Sequence, residues 1–120
     1  MLNNVTLIGY LGNDAEARAI RNESTMTTLS IATNRTWKDR GTGEKRTQVT
    51  WHRCVLFGRP AEYASRLPKG AHVQVVGELQ NRQYIGSDGA TKSITEIRVH
   101  QIARLDRAAK QGNGDEGAAG

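Results

Sequence analysis

Apolar and polar residues alternate along most of the chain, the pattern typical of strands that bury one face. The alternation predicts five strands: one in NNVTLIGYLG from about Val5, one in MTTLSIATNRTW, one at about 47–57, one in AHVQVVGELQNRQY and one in ITEIRVHQI. One face of the second strand carries Leu29, Ile31 and Thr33, and one face of the fourth carries Val73, Val75 and Leu79. In the first strand, Gly9 and Gly12 mark places where a bulge or a close backbone approach would bend the chain.

The period changes between the third and fourth strands, in RPAEYASRLPKG. This segment predicts a short helix, with Pro60 at its start, Ala61, Ala64 and Leu67 at helical spacing, and Pro68 and Gly70 ending it. The resulting order predicts an all-β fold, a five-stranded OB-fold barrel with a short helix between strands 3 and 4. The alternative is a split sheet covered by one helix.

Composition divides the chain into a domain and a tail. We expect an OB-fold domain over 1–103 and a flexible Gly/Ala-rich tail over 104–120, where large apolar residues disappear after Leu105. No apolar run approaches the ~20 residues of a membrane span, and the N-terminus has no signal-peptide pattern. The single cysteine, Cys54, fits a reducing compartment. We therefore expect a cytoplasmic protein without a membrane partner.

Positive charge is concentrated in the middle of the chain. The formal net charge is +5; residues 35–46 hold five basic and two acidic side chains, and residues 47–70 hold four basic and one acidic. Such a basic segment favours a polyanionic partner, nucleic acid or an acidic membrane surface. A solvated surface with a mild excess of lysine and arginine is the alternative.

Catalytic and metal-binding patterns are weak. His52 and Cys54 lie two residues apart, but no second pair completes a zinc site. The GTGEKRT segment lacks the spacing of a phosphate-binding loop and lies between two strands. No Ser/His/Asp set is apparent. The sequence therefore predicts no enzyme, no metal and no cofactor.

The aromatic residues indicate a binding surface. One face of the third strand carries Trp51, Arg53, Val55 and Phe57, with the two rings about 20 Å apart at ~3.3 Å per residue. A charged guanidinium is rarely buried without a partner, so this face is expected to be at least partly open. Exposed rings beside cations suit single-stranded nucleic acid, whose bases stack without regard to sequence. For any single ring, core packing is the alternative, and it is the prediction for Tyr63 in the helix.

Residues 3–102 resemble the bacterial single-stranded DNA-binding proteins. The resemblance rests on NNVTLIGYLGNDAEAR, on LSIATNRTWKDRGTGEKRTQVTWHRCVLFGRPAEYASRLPKG and on VQVVGELQNRQY. It implies an OB-fold that assembles as a homotetramer and wraps single strands around its outside. The implied function is sequence-tolerant binding of single-stranded DNA, which protects exposed strands in DNA replication, recombination and repair.

The resemblance also implies roles for individual residues. The base-stacking positions fall on Trp37, Trp51, Phe57 and Tyr84. The phosphate-contacting positions are similar to Lys38, Arg40, Arg53, Arg59, Lys69 and Arg82. His52 matches a histidine associated with the subunit interface. The alternative is that its hydrogen-bonding partners lie within its own subunit.

Three departures from the family qualify these expectations. Tyr84 replaces the usual tryptophan, so we expect weaker stacking there, and Gln80 and Gln83 stand where relatives often carry basic residues. The chain ends in GDEGAAG, without the apolar residues that close the family's acidic tip. Recruitment of replication and repair proteins through that tip is therefore in doubt for this chain.

Other functions fit the sequence less well. A primosomal relative devoted to protein contacts would not need four stacking aromatics. An RNA-binding cold-shock module would need a compact aromatic-glycine-aromatic strand motif, which the chain lacks. A nuclease would need a constellation of carboxylates or histidines.

Overall fold

A computed structural model describes residues 1–20 and 24–106. Strands dominate, and one short helix lies between the fourth and fifth strands. The elements are β1 (Val5–Leu11), β2 (Glu16–Ala19), β3 (Thr25–Lys38), β4 (Lys45–Phe57), α1 (Gly58–Ala64), β5 (His72–Ile85) and β6 (Thr91–Arg104).

The strands close into a barrel through β1. The sheet order is β1-β5-β6-β4-β3-β2, and β1 also pairs with β3. Strand β1 pairs with β5 from Val5 to Tyr10 and with β3 at Tyr10 and Leu11. Five strands therefore form a closed ring, which confirms the predicted OB-fold barrel with its helix between the third and fourth barrel strands.

Strand β2 is an addition that the sequence pattern did not predict. Its four residues are all exposed and pair with the start of β3, outside the ring. The EARA segment alternates polar and apolar residues, but its apolar positions are alanines, which are small and depleted in strands, so the segment did not stand out as a strand. It extends the sheet without contributing to the core.

Alternating residues of the barrel strands build the core. Leu29 and Ile31 of β3 and Val73 and Val75 of β5 are essentially inaccessible, as their predicted phase requires. Each such side chain contributes about 1.5–3 kcal/mol by leaving water. Leu79 keeps the same phase but is exposed. It lies beyond a bulge between Val76 and Gly77, where β5 leaves the barrel body.

The helix covers one end of the barrel. It buries Ala61 and Ala64, and the Thr27 hydroxyl of β3 donates a 2.7 Å hydrogen bond to the Ala61 carbonyl. The prediction that Tyr63 packs in the core was wrong: its side chain is 41% exposed, because the helix turns its two alanines towards the barrel. The helix begins two residues before Pro60 and ends three residues before Leu67, so it is shorter than the predicted segment. Pro60 falls in the first turn, where a backbone N–H has no partner within the helix.

Two long hairpins extend beyond the barrel. Strands β3 and β4 remain paired from Met26–Phe57 out to Lys38–Lys45, and β5 and β6 out to Ile85–Thr91. The predicted flexible tail and its tip fall mainly on residues 107–120, outside the described residues. No helix within 1–20 and 24–106 is long and apolar enough to span a membrane.

Candidate nucleic-acid interface

Strand β4 divides its side chains between the core and the outside. Cys54 and Leu56 are fully buried in the core, whereas Trp51 and Arg53 are exposed on the opposite side. We call that side, across β4, β6 and β5, the outer face. Val55 also lies on it but is only 3% exposed, between its pairing partners in β3 and β6. The outer face is therefore open around Trp51 and Arg53 and closed at Val55.

Trp51 is the most exposed of the four predicted stacking residues, with 59% of its surface accessible. The edge of its indole ring lies against Gly12. A Cβ at Gly12 would overlap the ring atom Cζ3 and lie 2.6 Å from Cη2. The glycine therefore leaves the space that the indole occupies.

The other three rings occupy different settings. Trp37 and Tyr84 are exposed near the ends of the β3–β4 and β5–β6 hairpins. Phe57 is half-buried at the end of β4, and the Arg98 guanidinium stands over its ring at 4.8 Å from the centroid. Arg35 stands similarly over Trp37 at 5.2 Å. Each pairing places a cation beside an aromatic face before any ligand arrives.

Arg53 and Arg82 meet at a buried carboxylate. Glu96 of β6 is 3% exposed, and it accepts hydrogen bonds from Arg53 Nε at 3.2 Å and Arg82 Nε at 3.0 Å. Gln80 Nε2 adds a third contact at 3.4 Å. We call these four residues the Glu96 cluster. The structure thus brings together two predicted phosphate-contacting residues through an acidic residue that the sequence did not single out.

The turn between β3 and β4 is rigidified by Asp39. Its carboxylate accepts hydrogen bonds from the backbone N–H groups of Gly41 and Thr42 and from Arg46 Nε at 2.8 Å. These bonds hold the pKa of Asp39 below its usual range. Lys38 is the last residue of β3 and Arg40 lies in the turn, and neither has an ion-pair partner within the described ranges.

Arg59 and Lys69 lie apart from the Glu96 cluster. Arg59 is exposed in the first turn of α1, directly after β4. Lys69 is exposed in the connection between α1 and β5, where its backbone N–H donates to Asp14 Oδ1 at 2.8 Å. Within the described residues, no side-chain hydrogen bond or ion pair links either residue to the predicted aromatic platforms.

His52 and Cys54 point to the side opposite Trp51. His52 is half-buried, its Nε2 lies 2.9 Å from the Thr33 hydroxyl, and desolvation lowers its pKa. This contact supports the alternative that His52 forms its hydrogen bond within its own subunit, and its role at a subunit interface stays a prediction. Burial raises the pKa of the Cys54 thiol to about 12. The thiol therefore stays protonated near neutral pH and packs as a small apolar group.

Comparison with known proteins identifies one family. The single-strand binding protein family model matches residues 2–105. A Plasmodium falciparum protein of this kind, solved in complex with single-stranded DNA, has a TM-score of 0.74 and 32% identity, over 88% of this chain and 96% of that chain. A deletion variant of the Thermus aquaticus single-stranded DNA-binding protein has a TM-score of 0.75 and 33% identity, over 88% of this chain. The match spans about half, 51%, of that second chain.

Proposed function

The chain belongs to the single-strand binding protein family, and from this premise we propose that it binds single-stranded DNA without regard to base sequence. The observation that carries the proposal is the outer face, where Trp51 is 59% exposed beside Arg53. The proposed stacking residues are Trp37, Trp51, Phe57 and Tyr84. The proposed phosphate contacts are Lys38, Arg40, Arg53, Arg59, Lys69 and Arg82.

The chemistry of this surface favours single strands over duplex. In a duplex the faces of the bases are covered by their neighbours, so exposed indole and phenol rings find nothing to stack on. In a single strand each base offers a free face, and arginines near the rings neutralise the phosphates between stacked bases. Hydrogen bonding to base edges is not required, so binding tolerates any sequence.

A fluorescence titration tests this function. Adding oligo-dT is expected to quench the emission of Trp37 and Trp51 as bases stack on them, with much weaker binding to a duplex of equal length. Raising the salt concentration should weaken binding, because neutralised phosphates release counterions. Absence of quenching, or equal affinity for the duplex, would contradict the proposal and favour a role in protein contacts.

The proposed cellular role follows from binding without chemical conversion. A protein that covers single strands protects them while replication, recombination and repair proceed. The proposed location is the nucleoid, in the cytoplasm. The Plasmodium falciparum relative, solved in complex with single-stranded DNA, supports the binding on which this proposed role depends. No cofactor is needed, and no group of three or more potential metal ligands occurs in the described part of the chain.

We further propose a homotetramer with His52 near a subunit contact. The family resemblance supports it, as do the exposed apolar side chains on β1, Ile8 and Tyr10. Exposed apolar surface of this kind often marks a protein interface. Light scattering at low protein concentration should give about four times the chain mass of 13.2 kDa. A mass equal to that of one chain would contradict the proposed homotetramer, but it would not contradict the proposed binding of DNA.

A further inference from the structure

Glu96 is an acidic side chain buried in the middle of a surface proposed to bind a polyanion. Its neighbours on the outer face are Arg53 in β4 and Gln80 in β5, the second of which is its pairing partner. A carboxylate removed from water is strongly unfavourable unless charged partners compensate it. The two arginines of the Glu96 cluster provide that compensation, one on each carboxylate oxygen.

Both arginines use the same atom for this contact. Arg53 and Arg82 each donate through Nε, the guanidinium nitrogen nearest the side-chain stem. A guanidinium carries five N–H groups, so four remain on the terminal nitrogens. Within residues 1–20 and 24–106, none of these terminal groups has an acceptor, and the two side chains stay 40% and 44% exposed. Each guanidinium is thus fixed through Nε, while its terminal nitrogens remain available to a ligand.

We propose that Glu96 is a positioning residue, which holds Arg53 and Arg82 as a preorganised pair for the DNA backbone. This inference rests on the proposed function, in which both arginines contact phosphate. A free arginine on the surface loses rotamer freedom when it binds phosphate, which weakens binding. In the Glu96 cluster much of that freedom is already removed in the unbound protein, so less is lost on binding.

Whether Glu96→Gln strengthens or weakens DNA binding distinguishes a positioning role from a purely electrostatic one. Glu96→Gln removes a negative charge, so electrostatics alone predicts tighter DNA binding and a steeper dependence on salt. It also replaces one carboxylate oxygen by an NH₂ donor, which faces an arginine N–H and releases that arginine. If Glu96 acts by positioning, the variant therefore binds more weakly although its net charge is more positive.

The experiment compares variants of the full chain. We expect Glu96→Gln to bind oligo-dT about 3- to 10-fold more weakly, the effect of one mobile side chain that must be ordered on binding, with a shallower salt dependence. Glu78→Gln is the matched control, because Glu78 is a partly exposed acid on the adjacent strand with only a 3.9 Å contact to His100. It makes the same charge change and should leave binding unchanged or slightly tighter.

Further variants make the outcome decisive. In a chain carrying Arg53→Ala and Arg82→Ala, adding Glu96→Gln should cause no further loss of affinity. Glu96→Asp keeps the charge but shortens the reach, so it should also weaken binding, and it serves if the glutamine variant does not fold. Folded Glu96→Gln or Glu96→Asp with wild-type or tighter affinity would overturn the inference. If Arg53→Ala and Arg82→Ala themselves leave affinity unchanged, it is the proposed phosphate contacts that fail.

Discussion

Replacing Trp51 with alanine is expected to weaken oligo-dT binding by about 5- to 150-fold. Stacking one base on an aromatic side chain is worth about 1–3 kcal/mol, a range established on single-strand-binding OB-folds themselves. The upper part of that range is expected, because Trp51 exposes more of its surface than the other three proposed platforms. Its indole also rests against Gly12, so the ring has support on the protein side.

The control for Trp51 is an exposed aromatic residue outside the proposed surface. Tyr63 in α1 is 41% exposed, and Tyr63→Ala should change affinity by less than twofold, since surface contacts away from a site contribute little. Because Trp51→Ala removes a fluorophore, affinity should be measured from the anisotropy of a labelled oligo-dT. Trp51→Phe should retain part of the binding. Equal losses for Trp51→Ala and Tyr63→Ala would mean that DNA binds elsewhere.

The alternating pattern predicted the barrel because each barrel strand has one buried face. Leu29, Ile31, Val73 and Val75 were assigned correctly from phase alone, and all four lie in the core. The same logic fails for β2, which buries neither face, and for Leu79, which lies beyond the barrel body. Large apolar residues at alternate positions therefore mark the buried strands, whereas the exposed alanines of β2 give only a weak signal.

The sequence predicted those features of the site that depend on one strand alone, and it missed the contacts between strands. The phase of β4 separates Trp51 and Arg53 from the buried Cys54 in the sequence and in the structure. The contact of Glu96 with Arg53 was missed because the two residues lie 43 positions apart on strands paired in parallel. A parallel register has no short turn that would fix it from the sequence. The contact of Arg98 with Phe57 depends on the same pairing.

Gly9→Ala is expected to destabilise the barrel by about 1–3 kcal/mol or more, the range for overpacking a tightly packed site. At Gly9, β1 passes from its pairing with β5 towards its pairing with β3. A Cβ there would overlap the Ala32 carbonyl oxygen and lie 2.9 Å from Ile31 Cγ2. Because the carbonyl belongs to the backbone of β3, no side-chain rotation relieves the contact, and the strands must separate where the barrel closes.

Thermal or chemical unfolding measures this effect, and Gly41→Ala provides its control. In the β3–β4 turn, a Cβ at Gly41 meets only Asp39 Oδ1, at 3.3 Å, and no backbone atom, so a small shift of the Asp39 carboxylate weakens its hydrogen bonds and the loss of unfolding free energy should stay below about 1 kcal/mol. Folded Gly9→Ala should still bind oligo-dT, because Gly9 is buried and carries no side chain to the outer face. Equal stability of the two variants would mean that β1 and β3 do not approach closely at Gly9, and the closure of the barrel would have to lie elsewhere.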